Sequence, residues 1–101
     1  MVRSGSKDRK ASNLITGLEL DELQRFVWMM AESFGLDRRI ANYQGVRPLG
    51  LWRWDLECLV DVIDSVLDDP EYYPTQEAPE YMAIKALRDR LQAEEDILDA
   101  E

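Results

Sequence analysis

The run LWRWDLECLVDVIDSVLDD, Leu51 to Asp69, decides the fold. Trp52, Leu56, Leu59, Ile63 and Val66 recur at alternating steps of four and three, which at about 100° per residue gathers them on one stripe of a helix. Glu57, Asp61, Asp64 and Asp68 take the same steps on a face roughly 150° away, so burying the apolar row leaves the acidic row in water. Trp54 falls on the polar side of this helix and is expected at the surface or under a neighbouring loop. Cys58 also lies outside the stripe and reads as a small packing residue, since the chain has no histidine to activate a thiol.

Downstream, Pro70 stops the helix, and PEYYPTQEAP holds three of the four prolines, which predicts a stiff, extended connector clamped to the domain by Tyr72 and Tyr73. Another helix opens near Pro79, where Glu77 and Glu80 suit the positive end of its dipole. Tyr81, Ile84, Leu87 and Leu91 form its apolar face. Glu95 interrupts that face, so the helix is expected to run over 79–94 and the acidic end EEDILDAE to fray.

Upstream, LDRRIANYQGVRPLG between Leu36 and Gly50 has two glycines, a proline and no sustained period. It reads as a long irregular loop with at most one helical turn, pinned by Ile40, Tyr43, Val46 and Leu49. Arg38, Arg39 and Arg47, with Arg53 just beyond, either pair internally with the acidic rows or form a candidate anion-binding cluster, because guanidinium forks suit planar oxyanions. Ahead of the loop, TGLE at Thr16 to Glu19 has capping-box spacing, and Leu20, Leu23, Val27, Met30 and Phe34 share one face, predicting a helix over 17–34 that Gly35 ends in the left-handed conformation. Trp28 and Met29 lie off that seam beside Glu22, Arg25 and Glu32, so either the third helix or the long loop covers Trp28, or the two form an exposed apolar patch that serves as a partner-binding face and makes a homodimer. Residues 1–13 are rich in Ser, Lys and Arg with few apolar anchors and read as a disordered basic tail.

The expected fold class is therefore all-α: a single domain over residues 14–101, built from three main helices at about 17–34, 51–69 and 79–94. With 46% hydrophobic and 33% charged residues, and no apolar run long enough to span a bilayer, the chain reads as a soluble protein. The N-terminus has no apolar stretch of secretory type, and a single cysteine fits a reducing compartment, so a cytoplasmic location is expected. The net charge of -9 is unevenly placed: residues 55–101 hold fifteen acidic and three basic groups, whereas residues 14–54 balance five of each sign. Such a half-molecule repels phosphate backbones, which disfavours nucleic acid, and attracts proteins with basic surfaces.

No nucleophile–base pair, phosphate loop, cofactor motif or metal-ligand spacing is present; the reading assigns no catalytic residue, no cofactor and no metal. Glu19 with Glu22, and Asp61 with Asp64, resemble the paired acidic motifs of all-α nucleotide pyrophosphohydrolases, which implies carboxylates holding a divalent cation; the second pair has Asp where that family's motif has Glu. DDPEYYP, Asp68 to Pro74, resembles a segment of the small acidic four-helix immunity proteins that inhibit nuclease colicins. That likeness covers about twenty residues and implies that Tyr72 and Tyr73, with Asp61, Asp64 and Asp68, meet a basic enzyme surface. The expected function is a non-enzymatic protein-interaction or regulatory module contacting its partner through Trp28, Met29, Trp54, Asp61, Asp64, Asp68, Tyr72 and Tyr73. The alternative is an acidic inhibitor of a basic, nucleic-acid-handling enzyme.

Overall fold

The helix read from Leu56 to Val66 is the spine of the protein in a computed structural model that describes residues 10–30 and 35–100. The element order is β1 (Lys10–Asn13), α1 (Gly17–Arg25), a 3₁₀ turn (Val27–Met29), α2 (Leu36–Asn42), β2 (Leu49–Trp52), α3 (Arg53–Leu67) and α4 (Pro79–Asp99). The described residues are mostly helical, as expected, but with four α-helices rather than three main ones and with one short two-stranded sheet that the all-α reading did not include.

Leu56, Leu59, Ile63 and Val66 are fully buried on α3, and Val60 and Val62 widen the stripe on either side. α4 packs along α3 through Ile84, Leu87 and Leu91, and α1 packs on α4 through Leu20 and Leu23. α4 does not fray at residue 94. It continues to Asp99 because Leu98, seven residues after Leu91, returns to the buried stripe and Asp99 pairs with Arg53 across the molecule at 3.2 Å.

Trp52 is not part of the α3 seam. It ends β2, which pairs antiparallel with β1 in the register Lys10↔Trp52, Ala11↔Leu51, Ser12↔Gly50 and Asn13↔Leu49. The tail assigned to residues 1–13 thus yields its last four residues to a strand whose Ala11 and Asn13 are buried; residues 1–9 lie outside the described residues. α3 starts one residue later because Asp55, its third helical residue, accepts the Trp52 backbone N–H at 3.0 Å and anchors the helix entry. Asp55 is 1% exposed; the Arg39 guanidinium donates to the same carboxylate oxygen at 2.8 Å, so the buried charge is paired.

The helix expected over 17–34 breaks at Phe26. Thr16 makes no side-chain cap, so the capping box is not formed, and α1 ends at Arg25. Phe26 leaves helical geometry and is 1% exposed, its ring edge-on to Tyr72 at 5.2 Å and tilted against Tyr73 at 6.2 Å. Met30 is extended and buried, and Phe34 lies outside the described residues. Phe26 and Met30 both stay buried across the break.

The loop expected over 36–50 contains α2, with Leu36 and Ile40 buried one turn apart. Gly35 has the expected left-handed conformation, at φ 71°, and leads into this helix. Gln24 reaches from α1 to close the far end of α2, its amide donating to the Ile40 and Tyr43 carbonyls at 3.0 and 2.9 Å. Tyr43 and Leu49 are half-buried as pins, but Val46 is 76% exposed. Gly45 has φ 73°, and a Cβ there would sit 3.0 Å from the Ile15 carbonyl oxygen, so both backbone angle and space call for glycine.

Candidate functional site

α3 and α4 are joined by residues 68–78, and the connector is a series of turns rather than an extended strap. The backbone N–H groups of Tyr72 and Tyr73 both donate to the Asp69 carbonyl at 3.1 Å, the Asp69 side chain accepts from the Glu71 N–H at 2.9 Å, and Thr75 accepts from the Glu77 N–H at 3.2 Å. These local bonds hold the two tyrosines against α1 while the acidic side chains point outward.

Tyr73 is buried, and its hydroxyl donates to Glu22 Oε1 at 2.7 Å. Arg25 Nη1 donates to the same oxygen at 2.6 Å, and its guanidinium lies 5.1 Å from the Phe26 ring centre and 5.8 Å from that of Tyr73. Glu22, expected on the exposed face of the first helix, is 6% exposed. Burial pushes the Tyr73 hydroxyl well above its ordinary value of 10, and the hydrogen bond and negative charge of Glu22 push it further; Arg25 opposes this and Glu80 adds to it.

A cleft of about 430 Å³ opens beside this cluster. Glu22 and Arg25 of α1 form one side, connector residues 72–75 the other, and Ala78 and Glu80 the end. Glu22 Oε2 accepts no hydrogen bond from the described residues.

The other expected site residues are scattered. Trp28 is 68% exposed on the 3₁₀ turn, whereas Met29 is half-buried and packs on the core, so the two do not form one open patch. Trp54 stacks on Trp52, with ring centres 5.5 Å apart, and Lys10 Nζ lies over the Trp52 ring. Asp61 and Asp68 are exposed. Asp64 is gripped by Arg88 through Nε at 2.8 Å and Nη2 at 3.3 Å, so it belongs to the α3–α4 contact rather than a free acidic row. Tyr73, expected to leave a wet hydroxyl, is buried; Tyr72 remains half-exposed at the cleft.

Two of the four arginines in the expected anion cluster hold internal carboxylates: Arg39 pairs with Asp55, and Arg53 with Glu57 and Asp99. Arg38 and Arg47 are exposed, and the Arg47 carbonyl accepts the Tyr43 hydroxyl. Glu19 is held by Arg90, as Asp64 is by Arg88. Cys58 is half-buried against the core. Among the described residues no helix is long and apolar enough to cross a membrane. The cleft residues that sequence reasoning missed are Glu22, Arg25, Pro74, Thr75, Ala78 and Glu80; the i,i+3 spacing of Glu22 and Arg25 was the one local signal of their pairing.

No protein family, curated protein or solved structure matches this chain.

Proposed function

We propose that the protein is a non-enzymatic docking module that binds a partner with a basic surface through the connector and the adjoining end of α3. The observation that carries this reading is an uncompensated acidic tract. Residues 54–84 contain no lysine or arginine, and Asp61, Asp68, Glu71, Glu77 and Glu80 are exposed with no cationic partner among the described residues. Of the basic groups that follow, Lys85 pairs with Asp89 and Arg90 with Glu19, outside the tract, and Arg88 compensates Asp64 alone within it. A one-signed field of this kind steers a basic protein into encounter and weakens with salt.

The test is a triple reversal, Asp68→Lys, Glu71→Lys and Glu77→Lys, at positions whose side chains are exposed. Proteins captured by the wild type at low salt are expected to be lost from the variant, and the wild-type association rate is expected to fall as salt rises. Retention of the same proteins at the same rates would reduce the tract to a solubilising surface. Capture and inhibition of a nuclease or polymerase would favour the narrower reading, an acidic inhibitor.

A second reading, self-association, is favoured by Trp28 alone, a ring 68% exposed in a chain whose other two tryptophans stack on each other. Across a two-fold axis it would meet its symmetry mate. Light scattering is expected to give a dimer, and Trp28→Ala to weaken it by about 2 kcal/mol, roughly thirtyfold. A wild type that stays monomeric at every concentration overturns this reading.

A further inference from the structure

We infer that the cleft between α1 and the connector is a socket for an arginine side chain of the basic partner, an inference that rests on the docking reading above. The cleft, about 430 Å³, is the size of a small-molecule site. It is lined by Tyr72 and Tyr73 with Pro74 and Ala78, whose apolar atoms suit the stem of a long side chain and one flat face of a guanidinium.

Its charges are Glu22, Arg25 and Glu80, a formal -1 that one incoming cation neutralises. Glu22 is more than nine-tenths buried. Its Oε1 is taken by Tyr73 and Arg25, and Oε2 has no donor among the described residues. An apolar occupant would cover that oxygen without a hydrogen bond, at the cost of its hydration. An anionic occupant would meet both carboxylates. A guanidinium supplies donors for Glu22 Oε2 on the inside and for Glu80 at the mouth, which is exposed and has no ion pair among the described residues. The protein already shows the chemistry once, in Arg25, whose guanidinium bonds Glu22 while lying over two aromatic rings. An ammonium has neither the planar face nor the fork, so lysine is the weaker occupant.

The test titrates the full chain with N-acetyl-arginine amide and follows backbone amide chemical shifts. Saturable shifts confined to residues 22–26 and 71–80 are expected, with weaker binding of N-acetyl-lysine amide. Glu80→Gln, at an exposed position, is expected to weaken arginine binding about tenfold, and Asp96→Asn, on the exposed far end of α4, to leave it unchanged. Absence of saturable shifts, shifts spread along the exposed face of α3, equal binding of lysine, or an unaffected Glu80→Gln variant overturns the socket. If the arginine probe fails while the triple charge reversal still abolishes partner capture, the docking reading stands without it.

Discussion

Leu59→Ala or Ile63→Ala is expected to lower the stability of the protein by about 2 to 5 kcal/mol, the range for cavities left in well-packed cores. Both side chains are fully buried on α3, whose neighbour α4 is held from the other side by α1, so little can move in to fill the space. In a domain of this size such a loss is a large part of the total. Asp61→Asn, on the opposite face, should change stability by less than about 0.5 kcal/mol. Urea denaturation of the three variants checks the ranking, and a larger loss in Asp61→Asn would mean that the helix faces are reversed.

Glu22→Ala should cost about 3 kcal/mol, because it removes the single acceptor on which the Tyr73 hydroxyl and Arg25 converge and leaves a buried donor without a partner. The same cluster makes the protein sensitive to alkali. In the unfolded chain Tyr73 loses its proton near 10, and in the folded protein only at higher pH, so the folded state holds the proton more tightly. The stability this contributes is fully present below pH 10 and is lost as pH rises from there toward the folded value. Unfolding measured from about pH 8 to pH 11 should therefore show a decline in the wild type that Tyr73→Phe reduces, at a cost of about 1 kcal/mol at neutral pH for the lost hydrogen bond. Parallel decline in the two proteins would assign the alkaline loss to another group.

The core of α3 and the apolar face of α4 were legible because each is written within one helix: a stripe of period 3.6 needs no knowledge of the partner that covers it. Pro79 at the start of α4 and Gly35 in the left-handed region were legible for the same local reason. The β1–β2 ribbon was not. Lys-Ala-Ser-Asn has no β-branched or aromatic residue, and it is a strand only because residues 49–52 pair with it. Trp52 fits the α3 period and was drawn into the helix by it, whereas Asp55 sets the true start through a bond to backbone.

At the candidate site, the outward acidic residues of the connector followed from the charge count, but the cleft did not. Glu22 reads as a solvated carboxylate until Tyr73, 51 residues later, is laid across it. That the arginines could pair with the acidic rows was legible, and the Arg53–Glu57 pair at i,i+4 is local, but the individual partners Asp55 of Arg39 and Asp99 of Arg53, 16 and 46 residues away, were not.

The long-range pairing of α1 also bears on the order in which the chain can fold during synthesis. α1 packs on α4, Glu19 is held by Arg90 across 71 residues, and Glu22 is held by Tyr73. All of these partners are translated after α3. A chain emerging from the ribosome can wind α3 and pair β1 with β2, yet the side of its first helix that packs on α4 stays uncovered until the last helix is made. The acidic tract of residues 54–84 emerges during that interval, and its self-repulsion would keep neighbouring nascent chains apart while that side of α1 is open.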